Sequence, residues 1–373
     1  MAIDLSVPAE PSADISKEDL DTPVLCLDLD AMEANIKVVA ANLAEYNIQW
    51  RPHSKAYKSP IIARKLIDAG AIGVTCAKLG EAEVMANEGV TDILVANLIV
   101  GEKKLRRLAA LTKIADPIVC IDHIDQLTTM SEIMQQEGTE CRAIIEINIG
   151  LDRVGIEPGE PTLALAKAIH AAPGVKFAGI MGYEGHLLCI ADDAEKEQQI
   201  NAALDILGES AEAIKAADIP CEIVSCGGTG SYLISRKHPA VTELQCGGVI
   251  MMDQFYETEC KIEGMQKALT VLATIVSRPT EERAVIDAGR KTYDMSSTDP
   301  IVLQPAGITV SRQSAEHGEI LLDESARNLS IGDRLEIVPG YSDMTCVLHN
   351  HFYAFRNNQL EAIIPIASRG FLR

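Results

Sequence analysis

The sequence predicts a (β/α)8 TIM barrel followed by an all-β C-terminal domain, and two patterns predict it. Between residues 48 and 252, eight short and almost continuously apolar runs alternate with helical stretches. That alternation is what a parallel sheet covered on both faces requires, and eight such repeats argue for closure into a barrel over an open sheet. Beyond about residue 260 the helical periodicity stops and strand-like runs follow one another.

Taken in order, residues 1–22 read as a loosely ordered N-terminal arm. Residues 23–262 form the barrel domain, opening on the apolar run Val24 to Leu27. A helix is expected from about Asp30, with Asp30 and Glu33 spaced as a capping box and Met32, Ile36, Val39 and Leu43 on one face. The barrel strands are expected at 48–55, 72–77, 93–98, 117–122, 141–149, 176–184, 221–226 and 243–252. Helices are expected at 61–69, 103–114, 124–136, 163–171 and 194–217. The β domain, 263–373, carries strand-like runs at 268–277, 283–288, 305–312, 334–338, 346–355 and 359–366. Arg356-Asn357-Asn358 lies between the last two as a hairpin turn, because Asn tolerates positive φ.

The chain has 373 residues and a formal net charge of −21, from 33 Lys and Arg against 54 Asp and Glu. No cationic field exists to attract nucleic acid or an anionic membrane surface. No apolar run approaches the ~20 residues of a membrane helix. The first residues lack the basic and apolar regions of a signal peptide. Ten cysteines, none in a C-x-x-C pair, fit a reducing cytosol better than a disulfide framework. A cytoplasmic protein is expected.

In a (β/α)8 barrel, chemistry sits at the carboxyl ends of the strands. Polar residues collect there: Arg51 to Lys58 after the first strand, Glu146 to Arg153 after the fifth, Tyr183 to His186 after the sixth, Gly227 to Ser231 after the seventh, and Glu243, Gln245, Gly247 and Gly248 at the eighth. The Gly227-Gly228-Thr229-Gly230-Ser231 turn sits between strand and helix, where glycines admit close backbone approach and free N–H groups face an anion. Lys55 ends an apolar strand; a lysine held neutral is a nucleophile toward carbonyls. A carbonyl-trapping lysine and a phosphate loop on one rim together suggest pyridoxal 5'-phosphate. His349 and His351 would share one strand face and could meet a metal, or be two ordinary polar positions; His53 and His186 lie at the barrel rim.

The chain resembles the fold type III pyridoxal-phosphate enzymes with an alanine-racemase-like barrel, and within them the D-threonine aldolase, 3-hydroxy-D-aspartate aldolase and D-serine dehydratase branch. The motifs that carry the resemblance are Arg-Pro-His-Ser-Lys (51–55), Gly-Gly-Thr-Gly-Ser-Tyr (227–232), Glu-Leu-Gln-Cys-Gly (243–247), Asp287-Ala288-Gly289 and Glu316-His317-Gly318. The resemblance implies that Lys55 holds the cofactor covalently and that Gly228, Thr229, Gly230 and Ser231 bind its phosphate. It places Arg153 near the cofactor's phenolic oxygen and Tyr183 near its ring. It also implies a homodimer and a small amino-acid substrate.

Two positions depart from the family. Its metal segment reads Pro-x-His-x-Asp or Pro-x-His-x-Cys; here it is Pro339-Gly340-Tyr341-Ser342-Asp343. Asp343 keeps the acidic metal-ligand position, but Tyr341 replaces the histidine. After the lysine the family has Lys-x-His-Lys, and here Tyr57 replaces that histidine too. A phenol is a poor ligand for a divalent metal (Mn, Mg or Zn) at neutral pH. The expected function is a lyase on D-3-hydroxy amino acids, by retro-aldol cleavage or dehydration, with Lys55, Tyr57 and Tyr341 as catalytic candidates. A tyrosine acting as base needs a lowered pKa. The alternatives are a racemase or epimerase, with Lys55 opposed by a second base, and a non-catalytic cofactor carrier.

Overall fold

The computed structural model describes residues 15–373. The described residues divide into two compact units: one of residues 36–249, 259–262 and 367–373, the other of 15–35, 250–258 and 263–366.

The first unit is the barrel. Its eight strands are parallel, and every strand predicted from the sequence is present. The run Val24 to Leu27 is β1 (Val24–Asp28), which belongs to the other unit, and α1 (Leu29–Ala44) follows it. The barrel strands are β2 (Gln49–Trp50), β3 (Val74–Cys76), β4 (Asp92–Leu98), β5 (Asp116–Ile121), β6 (Cys141–Glu146), β7 (Val175–Met181), β8 (Ile223–Cys226) and β9 (Glu243–Leu244). Neighbours pair in the order β2-β9-β8-β7-β6-β5-β4-β3. A parallel bridge between His53 and Thr75 joins the two ends and closes the ring. The connecting helices are α2 (Pro60–Asp68), α3 (Leu79–Asn87), α4 (Glu102–Leu111), α5 (Ile124–Glu137), α6 (Glu160–Ala171), α7 (Asp193–Lys215) and the single turn α8 (Tyr232–Ser235). Leu94, Ile118, Cys120, Ile144, Ala178 and Met181 form a buried cluster on β4 to β7, which is why these strands read as continuous apolar runs.

The second unit is a nine-stranded sheet. To β1 it adds β10 (Leu269–Thr280), β11 (Arg283–Ile286), β12 (Ile301–Gln304), β13 (Ile308–Gln313), β14 (Gly318–Leu322), β15 (Arg334–Val338), the short helix α9 (Ser342–Cys346), β16 (His351–Arg356) and β17 (Gln359–Pro365). β1 lies antiparallel to β10 and parallel to β16. The run expected to open the barrel therefore supplies a central strand of the other sheet, since it must bury both faces and this sheet has the vacancy beside β10. Residues 1–14 of the expected arm lie outside the described residues. Residues 15–22 are ordered: Ser16 bridges Gln359, Leu360 N donates to Ile15 O at 2.9 Å, and Leu20 joins Val24, Leu272, Phe355 and Leu360 in a core cluster.

Two local expectations shift. The cap of α1 is Asp28, whose Oδ1 accepts from Ala31 N at 2.9 Å; Asp30 and Glu33 instead hold the Arg356 guanidinium at 2.5 and 3.0 Å. The run 346–355 is shorter than expected: α9 ends at Cys346 and β16 begins only at His351. The hairpin turn is as expected, with Asn357 at φ 50° and Asn358 at φ 60°.

Candidate active site

The lysine turn is built first by the sequence that follows β2. Ser54–Ala56 is one turn of 3₁₀ helix, and His53 Nδ1 accepts from the Lys55 N–H at 3.4 Å. The turn is anchored by a carboxylate that sequence reading missed. Glu81, fully buried at the start of α3, accepts from Ser54 Oγ at 2.6 Å, Lys58 Nζ at 3.1 Å and Ala77 N at 2.9 Å. Lys58 has a positive φ of 48°, and its carbonyl accepts from Ser368 N and Oγ at 3.0 and 3.1 Å. A chain reversal that strains a non-glycine residue persists only when its surroundings over-determine it, and here both ends of Lys58 are held. Gly247 lets this turn sit where it does: a Cβ there would lie 2.2 Å from His53 O and 2.7 Å from His53 N. Lys55 itself is half-buried.

Electrostatics around the turn are one-sided. Burial, together with the charges of Lys55, Lys58 and Arg153, holds the His53 imidazole well below its ordinary pKa. His53 is therefore neutral. Tyr57 is fully buried, and its hydroxyl has no hydrogen-bond partner among the described residues. Burial pushes that phenol well above its ordinary value, with Cys76 and Glu81 adding to the effect. A tyrosine acting as base needs a lowered pKa, and the surroundings of Tyr57 push the other way.

Across the barrel mouth, Arg153 stands over the Tyr183 ring, 5.7 Å from its centroid. Its guanidinium reaches Glu146 Oε1 at 3.5 Å, a carboxyl whose pKa burial raises. The Tyr183 ring lies against the glycine turn, 3.2 Å from where a Cβ on Gly228 would be. Within the turn, Gly228 N donates to Ser231 Oγ at 3.2 Å, and Thr229 Oγ1 accepts from Val249 N at 2.9 Å. A second buried carboxylate, Glu184, which the sequence placed on the polar rim without a role, accepts from Gly227 N at 3.2 Å and Ser235 Oγ at 2.7 Å. The structure thus brings together Arg153, Tyr183, Gly228, Thr229, Gly230 and Ser231 in the barrel unit, and His53 couples electrostatically to both Lys55 and Arg153.

A phosphate-bearing carbonyl cofactor fits these residues on two counts. The N–H groups of Thr229 and Gly230 donate to no protein acceptor among the described residues. The turn also packs so closely that a Cβ on Gly230 would meet Cys260 Sγ at 2.8 Å. Such a turn presents donors that an anion satisfies. The helix that follows it is a single turn, so the argument rests on the loop's own N–H groups.

Not every rim residue belongs to the site. Glu243 and Arg51 form a buried ion pair at 3.1 Å that extends to Asp92 at 2.8 Å. Glu243 and Asp92 begin their strands, at the end of the barrel opposite the chemistry. His186 is exposed on the turn Gly185–Leu187.

Tyr341, Ser342 and Asp343 lie in the other unit, at the start of α9. Tyr341 Oη donates to Asp343 Oδ2 at 2.9 Å and lies 3.4 Å from Tyr256 Oη. Phe255 and Tyr256 pack edge-on against the Tyr341 ring, with centroids 5.3 and 5.7 Å away. Asp253 anchors the segment, accepting from Ser342 N at 2.7 Å, Ser342 Oγ at 2.6 Å and Tyr256 N at 2.9 Å. Burial pushes the Asp253 carboxyl up to about 7. His349 precedes β16 and meets Thr292 O at 2.7 Å, so it does not form a strand-face pair with His351. Among the described residues, no group of three or more His, Cys, Asp or Glu is arranged to hold a metal ion. Asp343 Oδ2 accepts the Tyr341 phenol hydrogen bond, and its buried Oδ1 has no hydrogen-bond partner among the described residues; with a phenol where the family has its histidine, this donor set does not fit the family's divalent metal.

Comparison with known proteins agrees with this architecture. Residues 27–254 match the alanine racemase N-terminal domain family, and 268–355 match a D-serine dehydratase-like domain. A 3-hydroxy-D-aspartate aldolase of Paracoccus denitrificans (strain Pd 1222) is 33% identical, covering 98% of this chain and 95% of that protein. A D-threonine aldolase of Arthrobacter sp. is 33% identical, covering 100% of this chain and 98% of that one. The crystal structure of D-threonine aldolase from Filomicrobium marinum superimposes with a TM-score of 0.94 at 34% identity, over 98% of this chain and all (100%) of that one. The chain belongs to the alanine racemase N-terminal domain family, in the branch whose second domain is D-serine dehydratase-like and whose members include D-threonine aldolase and 3-hydroxy-D-aspartate aldolase.

Proposed function

We propose that this chain is a pyridoxal-phosphate-dependent lyase that cleaves D-3-hydroxy amino acids between Cα and Cβ, giving glycine and an aldehyde. The observation that carries the reading is the half-buried Lys55 on a locked turn, in the same barrel unit as a glycine turn with unpaired N–H donors. The aldolase relatives at 33% identity over nearly the whole chain support the choice of substrate class. A cytoplasmic homodimer is part of the same proposal.

In this reading Lys55 would hold the cofactor by its carbonyl carbon, and the Gly228–Ser231 turn would hold its phosphate through the Thr229 and Gly230 N–H groups. Arg153 would serve the phenolic oxygen, and Tyr183 the ring. When bound, the cofactor provides a sink for the electron pair left at Cα. His53, held neutral, orients the Lys55 backbone and adds no charge. Glu81 keeps Lys58 paired. Tyr57 keeps its proton. The phenol of Tyr341, bonded to Asp343, is the group assigned to the substrate hydroxyl.

The test is turnover of D-threonine, D-threo-3-hydroxyaspartate and D-serine by the cofactor-saturated protein. Glycine with an aldehyde from the first two is expected, and Lys55→Ala abolishes it. A 2-oxo acid with ammonia would make the protein a dehydratase. Solvent deuterium at Cα of an otherwise intact, racemised amino acid would replace the lyase reading altogether. Light scattering reads the dimer.

A further inference from the structure

We propose that the Pro339–Asp343 segment is not a divalent-cation site in this chain, and that the Tyr341 phenol, hydrogen-bonded to Asp343, stands in the cation's place. The catalytic half of this inference rests on the lyase reading; the binding half rests on the β unit alone.

A carboxylate becomes a metal site only with company. Mn²⁺ and Mg²⁺ take six oxygen or nitrogen ligands, and Zn²⁺ takes four. Around Asp343 the company is spoken for. Asp343 Oδ2 accepts the Tyr341 hydroxyl at 2.9 Å, which leaves the buried Oδ1, without a hydrogen-bond partner among the described residues, as the one carboxylate oxygen still open. The next carboxylate, Asp253, is consumed by the Ser342 N–H and hydroxyl and by the Tyr256 N–H, and turning it toward a cation would strand those buried donors. The imidazole of His349 is engaged by the Thr292 carbonyl at 2.7 Å. Beside Asp343 stand two phenols, Tyr341 and Tyr256, 3.4 Å apart. A phenol titrates near 10 and binds a divalent cation well only after losing its proton.

The tyrosine arrangement is also built. Two edge-on aromatic contacts hold the Tyr341 ring. Backbone bonds from Gln254 N to Pro339 O and from Phe255 N to Gly340 O, 3.3 and 2.9 Å, stitch the two segments together. The hydroxyl is thereby fixed on the carboxylate, as a donor that needs no metal to be held in place.

The experiment uses the full, cofactor-saturated chain after exhaustive EDTA dialysis. Mn²⁺ is titrated in while the signal of the free aquo ion is followed by electron paramagnetic resonance. The wild type is expected to take up no stoichiometric Mn²⁺, and its turnover is expected to change less than twofold between EDTA and Mn²⁺. Tyr341→His is expected to take up about one Mn²⁺ per chain, and adding Asp343→Asn should abolish that uptake. Uptake of one Mn²⁺ by the wild type, lost in Asp343→Asn, overturns the proposal whatever the variants do. A folded Tyr341→His chain, judged by circular dichroism, that gains no uptake overturns the claim that the phenol is what excludes the cation. If no D-3-hydroxy amino acid is turned over with or without Mn²⁺, the lyase reading falls, while the titration still decides the binding claim.

Discussion

Glu81 and Tyr57 are both fully buried beside the lysine turn, with opposite consequences. The Glu81 carboxylate is saturated by three donors, one of them the ammonium of Lys58. Glu81→Gln leaves that ammonium buried and unpaired, a change that typically costs about 3–5 kcal/mol. A fall of that size in denaturant stability is expected, together with loss of cofactor on gel filtration as the Lys55 turn loosens; the conservative Glu81→Asp should partly restore retention. Tyr57 has a buried hydroxyl with no partner among the described residues. Removing an unsatisfied polar atom while keeping the ring is close to neutral or stabilising, within about 1 kcal/mol. Tyr57→Phe is therefore expected to keep stability and turnover, within threefold. A hundredfold loss of kcat would return Tyr57 to the catalytic set. The sequence showed Lys55 because a lysine in an apolar run is conspicuous. It could not show Glu81, which in Lys-Leu-Gly-Glu-Ala-Glu (78–83) looks like any solvated helix carboxylate.

At the scale of elements, the strand and helix repeats were legible because each carries its own period. Apolar runs marked all eight barrel strands, and the paired asparagines at 357 and 358 marked the last hairpin. The β unit was harder. β12 and β14 were missed, and the last long run was read as strand from 346 although β16 begins only at His351, since short segments with one face exposed carry no distinctive period. Close approach between elements was equally hidden. Gly247 follows β9 with its Cα hydrogen pressed against the His53 backbone, leaving no space for a methyl group. Gly247→Ala must displace either the end of β9 or the lysine turn. Overpacking of this kind costs about 1–3 kcal/mol, and here the displaced backbone carries Lys55. At least a tenfold weaker hold on the cofactor is expected by equilibrium dialysis, alongside a lowered melting temperature. Unchanged affinity would mean that the turn tolerates the shift.

For the molecule as a whole, the buried titratable groups set how stability follows pH. Asp253 has its carboxyl raised to about 7 by burial. Its folded pKa lies above its unfolded one, so the folded state holds the proton more tightly. The stability it contributes is complete below pH 4 and is lost as pH rises to about 7. His53 works in the other direction: its folded pKa is depressed, so its contribution grows as pH rises toward 6.5. The two oppose each other, and the readable quantity is a difference. The urea midpoint of the wild type minus that of Asp253→Asn should fall between pH 4 and 7 and flatten above; a difference independent of pH would show that Asp253 titrates normally.

By itself, the sequence determined the barrel, the change to an all-β region near residue 260, and the lysine and glycine-turn motifs that mark the family. Those are properties of residue type and spacing along the chain, and hydrophobic periodicity records them locally. Only the tertiary structure decided that 15–28 belongs to the β sheet, that Glu81 and Glu184 anchor the two halves of the barrel site, that Tyr57 is fully buried, and that Asp343 is bonded to a phenol. Each of these depends on which groups meet through space and on whether water reaches them. Burial and pairing set the charge of a side chain, and neither is written in its position along the chain.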